Sequence, residues 1–137
     1  MLLVSIRTRG ELGVKVREAM SEHVFTITPG RTLREAAAFM VDHNVGAAVI
    51  VDPEEPGPGI VTERDVVRSL GEGQDPDTET IGNHLTSRAT FADADWSLEE
   101  AADAMAEGGF RHLVVVDGGE LAGIISMRDI IAVWRPK

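Results

Sequence analysis

An α+β fold built from two copies of one small unit is what this 137-residue sequence predicts. Three observations carry the prediction. The chain repeats itself at a spacing of 65 residues. Each copy reads strand, helix, strand, strand, helix. The composition, 43% hydrophobic and 26% charged, lies in the globular range. At roughly 150 residues per domain the length allows one compact domain, enough to bury a core without staples.

The duplication is visible residue by residue. Thr32-Leu33-Arg34-Glu35-Ala36-Ala37-Ala38-Phe39-Met40 falls, after a shift of 65, on Ser97-Leu98-Glu99-Glu100-Ala101-Ala102-Asp103-Ala104-Met105. The same shift carries Ala48–Asp52 onto Leu113–Asp117. A shift of 64 carries Gly59–Val66 onto Gly123–Ile130, so one residue is lost in the turn between these blocks. Two copies are too few for a solenoid and predict two like halves packed with pseudo-twofold symmetry.

Each unit opens on a short helix, about 14–20 and 79–85. A short strand follows, near Val24–Ile27 and Thr90–Phe91. The next helix is the clearest. Leu33, Ala36, Ala37 and Met40 share one face, and Leu98, Ala101, Ala102 and Met105 repeat it. Thr32 with Glu35 and Ser97 with Glu100 form capping boxes at its start. Apolar runs at 46–51 and 112–116 read as buried strands. Asp117-Gly118-Gly119 is a hairpin turn, whereas Pro53 to Pro58 is a longer, proline-rich one that no ladder accommodates. Strands at 59–62 and 121–125 then run straight into helices at 63–70 and 127–134. The result is a three-stranded sheet with helices on one side in each half. The breaker-rich stretch Gly71 to Asp77 marks the seam. Four segments follow: an extension at 1–13, a first motif at 14–70, a linker at 71–78 and a second motif at 79–137. Leu2–Ile6 in the extension has the makings of an edge strand.

Composition excludes several functions. There is no Cys, hence no disulfide, thiolate nucleophile or Cys-ligated zinc. The net charge of −10 opposes binding to nucleic acid or an anionic membrane. Residues 1–70 carry 8 basic and 10 acidic side chains, residues 71–137 carry 5 and 13, so the excess lies in the second half. The longest clean apolar run, Val45–Val51, is far short of a membrane span, and the start has no signal-peptide order of charge and apolar stretch. A soluble, cytoplasmic protein is expected. His23, His43, His84 and His112 lack metal-ligand spacing, and Asp75, Asp77 and Glu79 lack the glycine and distal glutamate of a calcium loop. Trp96 and Trp134 stand at non-equivalent places and read as packing residues. No nucleophile elbow, P-loop or catalytic pair of carboxylates is present, so no catalytic residue is assigned and the chain reads as a non-enzyme.

The strand-to-helix junctions carry the chemistry. Gly59-Ile60-Val61-Thr62-Glu63-Arg64-Asp65 and Gly123-Ile124-Ile125-Ser126-Met127-Arg128-Asp129 keep hydroxyl, Arg and Asp at one spacing. A helix start offers unpaired N–H groups to a phosphate, an Arg pairs with it as a fork, and an Asp accepts from a ribose diol. Thr62 with Asp65 and Ser126 with Asp129 equally fit capping boxes. Both readings stay open at this point.

From about Val14 onward the chain resembles a tandem pair of cystathionine-β-synthase-type (CBS) domains, a Bateman module. The resemblance rests on the duplicated unit order and on the pattern Gly-hydrophobic-hydrophobic-Thr/Ser-x-x-Asp at both junctions. It is similar to stand-alone bacterial CBS pairs of the hypoxic response type. What this implies is regulation through an adenosine-containing ligand, AMP, ADP, ATP or S-adenosylmethionine, held in clefts between the halves, with no required cofactor and no metal. Asp65 and Asp129 would hold ribose, and Thr62 and Ser126 ribose or phosphate, with Arg64 and Arg128 nearby. Arg111 and His112 resemble the His-Arg pair of AMP-sensing kinase gamma subunits in swapped order and would face Asp65. Gly46 and Ala47 would face Asp129, leaving room for a flat adenine between Met20 and Phe25. The two clefts are therefore expected to differ. The resemblance also implies a homodimer and an effector protein regulated in trans. The alternative is a ligand-free interaction module in which the Asp and hydroxyl residues only cap helices.

Overall fold

The computed structural model describes residues 13–54, 58–84 and 91–134. In chain order the elements are α1 (Val16–Ala19), β1 (Thr26–Ile27), α2 (Leu33–His43), β2 (Ala47–Ile50), β3 (Gly59–Thr62) and α3 (Glu63–Gly71). A 3-10 turn at Ile81–Asn83 comes next, then β4 (Phe91–Asp93), α4 (Leu98–Gly108), β5 (His112–Asp117), β6 (Glu120–Ser126) and α5 (Met127–Trp134). The expected α+β architecture with two three-stranded sheets is present, in orders β1-β2-β3 and β4-β5-β6. In each, the first pair is parallel and the second antiparallel. The main departure is at 79–85, where only the 3-10 turn forms. Gly82 and Asn83 are poor helix formers there. Leu2–Ile6, Thr90, the middle of the proline-rich turn and the Trp134 side chain lie outside the description.

Local chemistry places the helices. Thr32 Oγ1 accepts from Glu35 N at 3.1 Å while Thr32 N donates to Glu35 Oε1 at 3.0 Å. Ser97 and Glu100 make the same reciprocal pair at 3.1 and 3.2 Å. Both helices stop on a left-handed residue, Asn44 (φ 53°) and Gly109 (φ 72°), which lets the chain turn into the following strand. Gly118 and Gly119, with φ of 60° and 84°, close the β5–β6 hairpin where a side chain would be strained. The strands β2 and β5 carry the cores. Ala48 and Ile50 pack with Leu33, Ala36, Met40 and Val61. Leu113 and Val115 pack with Leu98, Ala101, Met105 and Ile125.

Each core also contains one residue from a segment that leads the other sequence repeat. The chain divides into two compact units, one from Phe25 to the described end at His84, the other joining 13–24 to 91–134. Val16, fully buried, belongs to the core of the second unit, and Ile81, fully buried, to that of the first. These two residues are 65 apart, so they are equivalent. Their backbone bonds are equivalent too. Val16 N donates to Trp96 O at 2.8 Å, and Ile81 N to Arg31 O at 2.8 Å. Leu98 N donates to Val14 O at 3.2 Å, and Leu33 N to Glu79 O at 2.9 Å. The repeats have exchanged their leading segments.

Polar contacts fasten both exchanges. Arg17 bridges Asp95 and Asp117, at 2.9 and 3.1 Å. Arg34 pairs with Asp77. On α3 the fully buried Ser69 donates to Gln74 Oε1 at 2.9 Å, and His84 Nε2 meets Glu79 Oε2 at 2.6 Å. The hydrogen bond from Arg17 holds the Asp95 carboxyl below its ordinary value, and that from Arg34 does the same for Asp77.

Val16→Ala and Ile81→Ala should each lower stability by about 2–4 kcal/mol in urea denaturation, as for other buried aliphatic truncations. Location is the stronger test. Hydrogen exchange should accelerate across 91–134 in Val16→Ala and across 26–71 in Ile81→Ala. Acceleration confined to each variant's own repeat would contradict the exchange. The depressed carboxylates of Asp77 and Asp95 contribute stability that is whole above the ordinary carboxylate range and lost as pH falls below about 4. The urea midpoint should therefore fall less steeply on acidification in an Arg17→Gln, Arg34→Gln double variant.

Candidate functional site

Both strand-to-helix junctions are built alike. β3 ends at Thr62 in an extended conformation and α3 begins at Glu63. Asp65 Oδ2 accepts from Thr62 N at 2.8 Å and from Thr62 Oγ1 at 3.2 Å. Asp129 Oδ2 accepts from Ser126 N at 2.8 Å and from Ser126 Oγ at 3.0 Å. The capping reading is thus realised at both. It engages one oxygen of each carboxylate. A carboxylate has about four acceptor sites, so each retains capacity at Oδ1 for a further partner. At Asp65 that oxygen lies 3.9 Å from Arg68 Nη1.

The strand beside each junction supplies the rest. Ala47 lies opposite Thr62 in the ladder, and His112 opposite Ser126. Glu63 N donates to Gly46 O at 2.9 Å, and Met127 N to Arg111 O at 2.8 Å. The first unit therefore gathers Gly46, Ala47, Thr62, Arg64 and Asp65. The second gathers Arg111, His112, Ser126, Arg128 and Asp129. Arg64, Arg111 and Arg128 are exposed, and His112 is half-buried.

Met20 and Phe25 fall in different units. Met20 joins the second, where its sulfur lies against Gly123, three residues before Ser126. Ser21 beside it exchanges backbone bonds with Ile124, at 2.9 and 3.1 Å. Phe25 belongs to the first, its ring edge-on to Phe39 at 5.9 Å and 4.5 Å from His43. A groove of about 500 Å3 runs along β1 and α2, between Thr28, Arg31, Glu35, Phe39 and Val51. None of the expected site residues lines it.

One neighbour of the site was not anticipated. The Glu63 carboxylate lies over Gly46, its Oε1 3.2 Å from where a Cβ would stand. The signal was available in the repeat, because Glu63 aligns with Met127, and Gly46 with Arg111. Among the described residues no three His, Asp or Glu side chains converge as a metal site, and no helix is long and apolar enough to cross a membrane.

Comparisons with known proteins agree with this geometry. Hypoxic response protein 1 of Mycobacterium tuberculosis is 32% identical over 115 residues, covering 83% of this chain and 80% of the relative. A crystal structure of Hypoxic Response Protein I with two coordinated zinc ions is similar at a TM-score of 0.69 and 31% identity, covering 87% of this chain and 98% of that one. A hexameric CBS-CP12 protein from bloom-forming cyanobacteria matches at 0.80 and 28%, covering 86% of this chain and 69% of the other. Relatives from Methanopyrus kandleri and Methanocaldococcus jannaschii are longer, and the chain spans 62% and 41% of their lengths. The CBS domain family model matches twice, at residues 16–72 and 81–135. With both repeats matched and both junctions carrying the family's hydroxyl–carboxylate pair, the chain belongs to the CBS domain family, as a tandem pair.

Proposed function

We propose that this CBS pair is a regulatory module that senses an adenosine-containing ligand, AMP, ADP, ATP or S-adenosylmethionine, at its strand-to-helix junctions. The observation that carries the reading is the duplicated pair of carboxylates. Asp65 and Asp129 each commit Oδ2 to a capping box and keep Oδ1 outside it. A ribose diol is a match for that remaining oxygen, because its two adjacent hydroxyls donate to one acceptor group. Arg64, Arg111, Arg128 and His112 lie on the same elements and suit a phosphate. Regulation follows from differential affinity. A ligand that favours one arrangement of the protein shifts a partner only by that difference.

A second reading has its own observation. The capping boxes are complete without any ligand, and α5 exposes Met127, Ile131 and Val133. A ligand-free interaction module that self-associates would use those surfaces. The hexameric CBS-CP12 relative is an assembly of this family.

A thermal-shift screen against AMP, ADP, ATP, NADH and S-adenosylmethionine separates the readings. A binder at a hundred times its Kd should add about 2.7 kcal/mol of stability. Asp65→Ala and Asp129→Ala should each cost about 1 kcal/mol through the lost cap under either reading. Only under the sensing reading does the ligand-dependent shift also shrink, with unequal losses in the two variants. Absence of any shift, with a concentration-dependent oligomer by light scattering, would favour the interaction module.

A further inference from the structure

The two units treat the edge beside their first strand differently. In the second, Arg17 N donates to Ala94 O at 2.9 Å, and the Arg17 guanidinium reaches Asp95 and Asp117 at 2.9 and 3.1 Å. In the first, the equivalent residue is Gly82, whose N donates to Pro29 O at 3.0 Å. The backbone bond is kept and the arginine side chain is gone. Asp52, the equivalent of Asp117, stands just past β2. Its Oδ1 accepts from Glu54 N at 3.0 Å, which leaves acceptor capacity at Oδ2. Val51, next to Asp52, lines the groove of about 500 Å3 along β1 and α2. β1 is an edge strand, its ladder among the described residues being with β2 alone. Val49 N donates to Phe25 O, so the backbone groups of Thr26, one residue on, point away from β2. The facing wall is α2, where Ala38 and Phe39 supply apolar surface and Asp42 an acid. Arg31, also in the groove, is already paired with Glu35 at 3.0 Å. At the matching places α4 has Asp103 and Ala104 instead of Ala38 and Phe39, so the second unit does not repeat this apolar wall.

We propose that this groove docks an extended, basic and apolar segment of a partner protein, taken up as an added strand on the open edge of β1. Apolar side chains of the segment lie against Ala38, Phe39 and Val51, and a Lys or Arg meets Asp52. The molecule supplies its own template for that contact, because Arg17 fills the equivalent position at Asp117 in the second unit. Strand addition draws affinity from main-chain hydrogen bonds and selectivity from pockets for alternate side chains. Charge decides between partners. Asp42 and Asp52 favour a basic segment, and the net charge of −10 attracts such a segment and repels an acidic one. The proposal goes beyond the ligand reading and does not rest on it, since no residue of either junction lines the groove.

The test is an amide NMR titration of the full chain with two short, end-blocked peptides, one alternating arginine with valine and the other glutamate with valine. The arginine–valine peptide should shift the amides of Thr26, Thr28, Ala38, Phe39 and Val51 and slow hydrogen exchange at Thr26. The glutamate–valine peptide should leave them in place. Asp52→Asn keeps an acceptor for Glu54 N and should weaken the arginine–valine peptide roughly fivefold, the upper end for one surface ion pair. Ala38→Trp, at an exposed helical position, should fill the groove and abolish the shifts with the fold intact. Three results overturn the proposal: shifts spread over 91–134 instead of the groove, equal affinity in the parent and both variants, or no shifts at about 1 mM peptide. Shifts of the same amides on raising the protein concentration alone seat a second copy in the groove, and overturn it as well. None of these outcomes bears on the adenosine reading.

Discussion

The exchange of leading segments is the constraint on which the rest of the molecule depends. Each unit's core is completed by an aliphatic side chain from the segment that leads the other repeat. Val16 completes one and Ile81 the other, both fully buried. The backbone bonds that anchor them run to the residues just before α4 and α2, so each anchor also fixes the start of a helix. A chain that mispaired these segments would lose core packing and helix entry together. This couples the repeats, because one unit runs unbroken from Phe25 to His84 while the other joins 13–24 to 91–134.

Helix capping gives the junctions their rigidity and their chemistry at once. Thr62 and Ser126 end a strand, so their backbones are held by the ladder on one side and by a cap on the other. The carboxylates that complete the caps are therefore positioned before any ligand arrives. Preorganisation of this kind reduces the ordering cost of binding. It also explains why capping and ligand recognition are compatible uses of one residue, since a carboxylate has more acceptor sites than the cap consumes.

Duplication preserved that frame and let the side chains diverge. The four rungs from Ala47 to Ile50 and from His112 to Val115 keep the same register. The Gly46–Glu63 and Arg111–Met127 pairs lie on identical backbone bonds. Charge could therefore change sign at one junction without disturbing its cap. The acidity of the chain as a whole, at −10, is a surface average that says little about these local settings.

The order of elements, the capping boxes and the β5–β6 hairpin were all legible in the sequence. Each is decided by residues at most four or so apart, whose periodicity and turn chemistry act locally. The short helix expected at 79–85 was not, because outward bonds from Ile81 and Gly82 to Arg31 and Pro29 replace a further helical turn. The exchange of Val16 and Ile81 was also hidden, for a more particular reason. The two segments are equivalent by the repeat, each offering one aliphatic residue, Val16 or Ile81, at the same place, and nothing local says which unit receives it. The Glu63 carboxylate over Gly46 likewise depends on two strands being brought into register. What the sequence by itself determined is the repeated unit and its local geometry. Only the tertiary structure decided which copy of a segment fills which core, because that choice is made by packing among residues some 20 to 110 apart in the chain.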